Sequence, residues 1–545
     1  MNNFFYNLSQ NAVALLEQGL RFLPGETPKT VVLELHGAYP VTSPANPLPI
    51  PIQLPGQKKI TTLEDLRDQL ERLREIKSVQ ELIVLERSFE GGFATAFAVH
   101  GLLEEFRKSG KRIMFYSDQI GNLSLYLGSA CDQIVTLSEG QVNAVGLVAR
   151  VVFLGETLKK IGIELEVERR SEFKNAPERF AATTFSAAHR QNVTGLLEGL
   201  YDHWLETVST GRKLSTDALR AAVDNAPLLS ERALEAGLID QIAFEDELTL
   251  NATPMRDALR FAPSSLGWDA SEGIALVSIE GAISDGESRN VPIPIPLLGG
   301  KQAGGYSIVR ALRSAAQDKN IKAIVLHVDS PGGSALASEL IWREVARAKQ
   351  VKPVIAVMGE YAASGGYYVA CNATKILAAP GTVTGSIGVF NIHANNQKLW
   401  ERLGFMPETI KLSNHADFFS PDRPLSESEH VKNIESVQRV YDTFRTRVAD
   451  GRGKSLEEVE TLARGRVWTG LQAEENGLVD EIGTVFDAIA IAQKLSGLPE
   501  HAPVVHFTPP TKFIAPTDLN ALAKILETRT RIWAVMPEWL EIVLK

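Results

Sequence analysis

The sequence predicts an α/β protein built from two tandem copies of one unit. Three observations predict it. First, segments recur in one register. LIVLERSFEGG (Leu82 to Gly92) resembles IVLHVDSPGGS (Ile324 to Ser334), and YLGSACDQIV (Tyr126 to Val135) resembles YVACNATKIL (Tyr368 to Leu377) at an offset of 242 residues. GLIDQI and GLVDEI, from Gly237 and Gly477, keep an offset of 240, and His36-Gly37-Ala38 matches Glu280-Gly281-Ala282 at 244. One register drifting by single gaps over about 210 residues marks a duplication. Second, short apolar runs that end in Gly alternate with helical spacing, the pattern of buried parallel strands under helices. Third, 44% of residues are hydrophobic and 22% charged, enough apolar surface to build large cores.

Taken in order, residues 1–27 place Phe4, Phe5, Val13, Leu15, Leu16, Leu20 and Phe22 on one stripe of a helix. The stripe suits packing on its own domain, with an in-plane membrane anchor as the alternative. The segment lacks the basic start and small-residue cleavage site of a secretory signal. The first half, 28–250, opens on the strand KTVVLELHG, and Leu63, Leu66, Leu70 and Leu73 follow at helical spacing. LIVLE is the next strand, before a Gly-containing turn and another helix. Residues 251–270 read as a linker. The second half, 271–500, repeats the plan with EGIALVSIEG, a helix bearing Ile308, Val309 and Leu312, and the strand AIVLHV. The tail, 501–545, has Pro503, Pro509, Pro510 and Pro516 before its end (RIWAVMPEWLEIVLK), which reads as a strand and turn.

Composition removes several classes of function. The net charge of −10 argues against a general nucleic-acid binder. Cys131 and Cys371 are the only cysteines, too few for a disulfide framework or a Cys-cluster metal site. There is no HExxH and no GxxxxGK[ST], so neither metal nor nucleotide is expected as cofactor. No run of 18 apolar residues marks a spanning helix.

Three segments of the second half carry candidate chemistry. The strand before Asp329-Ser330-Pro331-Gly332-Gly333-Ser334 gives way to a helix, a turn whose N–H groups suit an oxyanion. Ser364, in Ala362-Ala363-Ser364-Gly365-Gly366, stands among small residues where a strand meets a helix. Gly381 to Val389, with Ser386, reads as a tight buried strand or turn. Singly, each has an ordinary structural reading. Together, DSPGGS, ASGGYY and TGSIGV in this order, with GRVWTG and ENGLVDEIG beyond, resemble the signal peptide peptidase A family in its long, two-domain form.

That resemblance covers about 480 residues. It implies tandem crotonase-like (caseinolytic-protease-like) domains and a Ser–Lys dyad, with Ser from the second half and Lys from the first. Residue by residue, it implies Ser364 as nucleophile and Lys174, in SEFKNAPERF, as base. It further implies an oxyanion turn at Gly332 and Gly333, and Ser386 beside the lysine amine. The repeat supports a divided site. Ser364 aligns with Asn122, Lys174 with Ala416 and Gly332 with Glu90, while Gly333 keeps Gly91. Each half lacks what the other holds.

The implied function is a serine endopeptidase that degrades cleaved signal peptides and other hydrophobic or unfolded peptides through an acyl-enzyme. The family also implies a homotetrameric ring. The transmembrane anchor of the family's long form is missing here, which leaves a peripheral membrane contact or a cytoplasmic location. Rival readings are an acyl-CoA enzyme on the same sheet, which would not explain a split Ser/Lys pair, and an inactive scaffold, weakened because both residues survive.

Overall fold

Continuous apolar runs become strands covered on both faces. In Glu81–Phe89, Leu82 and Val84 enter one cluster while Ile83 and Leu85 enter another. In Ile321–Ser330, Ile324, Leu326 and Val328 face one core and Ala323 and Val325 the opposite one. The computed structural model describes residues 27–42, 60–263, 272–291, 299–507, 511–513, 532–535 and 541–543. The expected N-terminal helix, 1–27, lies almost wholly outside these. Among the described residues, no helix is long and apolar enough to cross a membrane.

The two halves share one architecture. The first sheet has six strands, in the order Gln241–Ile242, Gln133–Thr136, Arg112–Ser117, Glu81–Phe89, Thr30–Gly37, Thr253–Pro254, and its pairings are parallel. The second repeats this order around Val354–Ala363, Ile321–Ser330 and Gly273–Glu280. Helix Leu63–Arg74 starts at Thr62, whose hydroxyl accepts from Asp65 N at 3.0 Å. Its Leu63, Leu66, Leu70 and Leu73 are buried, as their spacing predicts. In the second half, Ile308 and Leu312 of Gly305–Gln317 are buried, and Val309 packs beside them.

A third sheet draws on both halves and the tail. Glu164–Arg169 of the first half pairs antiparallel with Phe390–Asn395 of the second. This contact brings the segment after Arg169 onto the second half.

Two boundaries differ from expectation. Residues 253–262, expected as linker, belong to the first half: Thr253–Pro254 extend its sheet, and Met255, Ala258, Leu259 and Ala262 are buried in its core. Only two residues of each strand pair here, too short a run to show period-2 alternation. In the tail, Val504–His506 adds an edge strand beside Gly273–Glu280. The terminal strands are present, with Ile532–Val535 beside Gly332–Ser334 and Glu541–Val543 beside Val148–Arg150.

Candidate active site

Strand Val354–Ala363 ends where helix Gly365–Ala370 begins, and Ser364 is the single residue between them. It turns the chain at φ 55°, ψ −113°, outside the comfortable regions for a residue with a Cβ. Its N–H donates to Gly385 O at 2.7 Å, and its carbonyl accepts from Tyr368 N at 2.8 Å. The strained turn is thus held from both sides. Ser386, the other left-handed serine of the site (φ 50°), is fixed by its N–H donating to Arg466 O at 2.7 Å.

Lys174 reaches this spot from the first half. Its Nζ lies 2.7 Å from Ser364 Oγ, 3.0 Å from Ser386 Oγ and 3.0 Å from Ser386 O. Ser364 is 0% exposed and Lys174 1%. Burial pushes the lysine well below its ordinary pKa, and no carboxylate among the described residues compensates. Close backbone approach makes the fit. At Gly465 (φ 80°) a Cβ would fall on the Lys174 backbone, so only glycine serves there.

The lysine loop is tied on both sides. Toward the second half, Phe173 N donates to Arg464 O at 3.1 Å and Arg170 N to Val389 O at 3.1 Å. Toward the first half, Glu178 is the hub. Its carboxylate accepts from Arg169 Nη1 (2.6 Å), Asn175 Nδ2 (3.1 Å), Ser186 Oγ (2.9 Å) and His189 Nδ1 (3.0 Å). The same Arg169 nitrogen donates to Lys174 O at 3.2 Å. Burial alone would raise the Glu178 pKa, but the His189, Arg169 and Ser186 donors outweigh it and hold the carboxyl at about 2.

A depressed carboxyl pKa stabilises the fold above the unfolded value and loses that contribution as pH falls through the folded one. Glu178→Gln is therefore expected to lower Tm at pH 7. The difference from wild type should shrink as pH falls from about 4 toward about 2, read by thermal melts across that range. A gap that stays constant would separate Glu178 ionisation from stability.

The glycine turn is only partly as expected. Gly332 (φ 104°) and Gly333 (φ 157°) are in conformations that suit glycine, but the Gly332 N–H donates to Ser330 Oγ at 3.2 Å. It is consumed inside the turn, since Ser330 stands two residues back with its own hydroxyl donating to Gly281 O. Gly365, not expected as an oxyanion donor, opens the helix after Ser364, where N–H groups have no intrahelical acceptor. Its signal was its place directly after the nucleophile candidate. Glu178 had none, because an acid four residues after a lysine also describes any solvated turn.

The first half keeps the shape of this site without its serines. Asn122, the counterpart of Ser364, is fully buried; its Nδ2 donates to Gly146 O (3.0 Å) and its Oδ1 accepts from Gly146 N (3.2 Å). Neither Asn122 nor Ala144, the counterpart of Ser386, has a positive φ. The backbone strain persists only where the serines do. Ala416, opposite Lys174 in the repeat, is exposed on the second half.

Comparison with known proteins agrees with this duplication. Peptidase family S49 matches residues 105–258 and again residues 346–499. The chloroplastic serine protease SPPA of Arabidopsis thaliana is 33% identical over 410 residues, 72% of this chain and 60% of that protein's length. Protease 4 of Haemophilus influenzae is 30% identical over 466 residues, 80% of this chain and 73% of its own. A putative signal peptide peptidase SppA of Enterococcus faecium is 37% identical over 227 residues, 41% of this chain and 64% of that one. With the family's domain present twice and relatives of this similarity along most of its length, the chain belongs to peptidase family S49, a family of serine-type peptidases.

Proposed function

We propose that this chain is a serine endopeptidase in which Ser364 is the nucleophile and Lys174 the general base. The observation that carries the reading is the 2.7 Å approach of Lys174 Nζ to Ser364 Oγ at a site where no carboxylate among the described residues partners the lysine. A neutral amine has two N–H donors and one lone pair. Ser386 O and Ser386 Oγ account for the donors, which leaves the lone pair for the Ser364 hydroxyl.

The reaction then balances without a cofactor. Ser364 O–H passes its proton to Lys174 Nζ as Oγ bonds to the peptide carbonyl carbon. The carbonyl oxygen takes the negative charge, which the N–H groups of Gly333 and Gly365 stabilise. Lys174 returns its proton to the leaving amine, and the acyl-enzyme ester remains. Water, deprotonated by the same amine, attacks the ester carbon, the C–Oγ bond breaks, and Lys174 returns the proton to Ser364 Oγ as the acid leaves.

The groove supports an extended peptide as substrate. Strand Ile532–Val535 of the chain's own tail lies antiparallel between Gly332–Ser334 and Phe390–Asn391, and Trp533 packs on Phe390 and Ala176. An extended segment therefore fits between the glycine turn and the lysine loop, and a substrate strand would take the tail's place by backbone pairing. Cleaved signal peptides and other hydrophobic or unfolded segments are such substrates. The test is cleavage of an unfolded peptide by wild type and by the variants argued in the Discussion.

The working form is a ring of four chains. Within one chain, Glu164–Arg169 crosses to the other half, but its counterpart 406–411 forms no strand pairing among the described residues, with Met406 81% and Ile410 97% exposed. That loop is suited to reach the first half of a second copy. Solution mass should correspond to four chains. Since Lys174 and Ser364 meet inside one chain, mixing Ser364→Ala with Lys174→Ala protomers should restore no activity after subunit exchange. Recovered activity would place the dyad between protomers, and a fully active monomer would remove the ring.

A further inference from the structure

The halves must hold their relative position closely, because each supplies one partner of the 2.7 Å Ser364–Lys174 contact. On the lysine side, the pairing of Glu164–Arg169 with Phe390–Asn395 does this. On the serine side, the strand that leads into Ser364 carries Glu360, four residues before that serine. Its carboxylate accepts from Gly92 N (3.1 Å), Ala94 N (3.0 Å), Thr95 N (2.9 Å) and Thr95 Oγ1 (2.7 Å), all in the first half. These are donors at the start of helix Phe93–Arg107, which have no acceptor inside the helix and favour a negative charge.

That helix has no cap of its own. Its N-cap is Gly92, with no side-chain cap bond. The equivalent helix of the second half, Ala335–Lys349, is capped by its own Ser334, which accepts from Ala337 N at 3.2 Å. At the offset of 242 residues, Gly92 stands where Ser334 stands. A Cβ at Gly92 would fall on the Glu360 carboxylate, so the space of a local cap is already taken. Glu360 has no reciprocal partner across the repeat: its counterpart Asp118 accepts from Tyr116 Oη on its own half. The next residue, Tyr361, donates its N–H to Asp329 Oδ1 at 3.1 Å, which binds this strand to the one leading into Gly332 and Gly333.

We propose that Glu360 is a positioning residue, a cap supplied across the halves that aligns the Ser364 half on the Lys174 half. The proposal rests on the reading of Ser364 and Lys174 as the dyad. It acts through alignment, so its loss should slow chemistry and leave peptide binding nearly intact.

The experiment compares full-length wild type, Ser364→Ala, Glu360→Ala and the double variant Gly92→Ser/Glu360→Ala on a fluorogenic unfolded casein. Gly92 sits at φ −91°, ψ −164°, which serine adopts readily, so the double variant rebuilds a local cap without the cross-half contact. Glu360→Ala should lose about tenfold or more in kcat with KM within about twofold. The rising limb of its pH–rate profile should move to higher pH, because a looser site hydrates Lys174. The double variant should regain Tm to within about 2 °C of wild type while kcat stays low. Wild-type kcat in Glu360→Ala, or kcat recovered together with Tm in the double variant, overturns the proposal, the second by reducing Glu360 to a helix cap. If Glu360→Ala does not fold, the double variant decides. Activity lost in Ser364→Ala but kept in Glu360→Ala removes the latch alone. Activity kept in Ser364→Ala removes the dyad and the latch with it.

Discussion

Ser364→Ala is expected to lower kcat for peptide cleavage by at least about 10⁴-fold, since no other group can form the acyl-enzyme. The fold should persist. Alanine keeps the Cβ at the strained turn, so the backbone strain is unchanged, and Lys174 retains both Ser386 oxygens. Tm should therefore shift by only a few °C, and a serine-reactive phosphonate should label wild type but not the variant. Cleavage that survives would remove Ser364 as nucleophile. The contrasting change is Asn122→Ala. It leaves Gly146 N and O without their partner and should cost about 1–3 kcal/mol of stability, with kcat unchanged.

Lys174→Arg should be equally inactive, because a guanidinium stays protonated at any working pH. In wild type, activity should rise with pH through an apparent pKa well below the ordinary lysine value of about 10.4. The sign for stability is opposite to that for a salt-bridged lysine. Burial lowers the folded pKa, so between it and about 10.4 the unfolded chain binds the extra proton. Folding is therefore penalised across neutral pH, and stability from this group rises as pH climbs toward the unfolded value. Lys174→Met, which fills the same channel without a charge to desolvate, should be inactive yet melt higher than wild type at pH 7. Its advantage should fade toward pH 10. An active Arg variant, or a Met variant that is less stable at pH 7, would contradict a buried neutral base.

The duplication was legible because each half repeats the same solution to burying a parallel sheet. Leu82 to Leu85 and Ile324 to Leu326 are apolar without interruption since both faces are covered, and that constraint is local enough to read. The proposed division of labour comes from the same register: the repeat sets Asn122 against Ser364 and Ala416 against Lys174. What the tertiary structure decided depends on groups far apart in the chain. Ser364 and Lys174, 190 residues apart, meet within one chain because Glu164–Arg169 pairs across the halves. The Gly332 N–H turned inward to Ser330, a matter of dihedral angles that a Pro-Gly-Gly string leaves open. Residues 253–262 proved to be core, since two-residue strands have no period to read. Glu178 and Glu360 carry no sequence signal at all. A carboxylate is soluble by default, and only the donors that fold around it (Arg169, Ser186 and His189 in one case, the first turn of a helix from the other half in the second) turn it into a structural anion. Periodicity and repetition report what each segment buries, whereas the partner of a buried charge is set by the assembled fold.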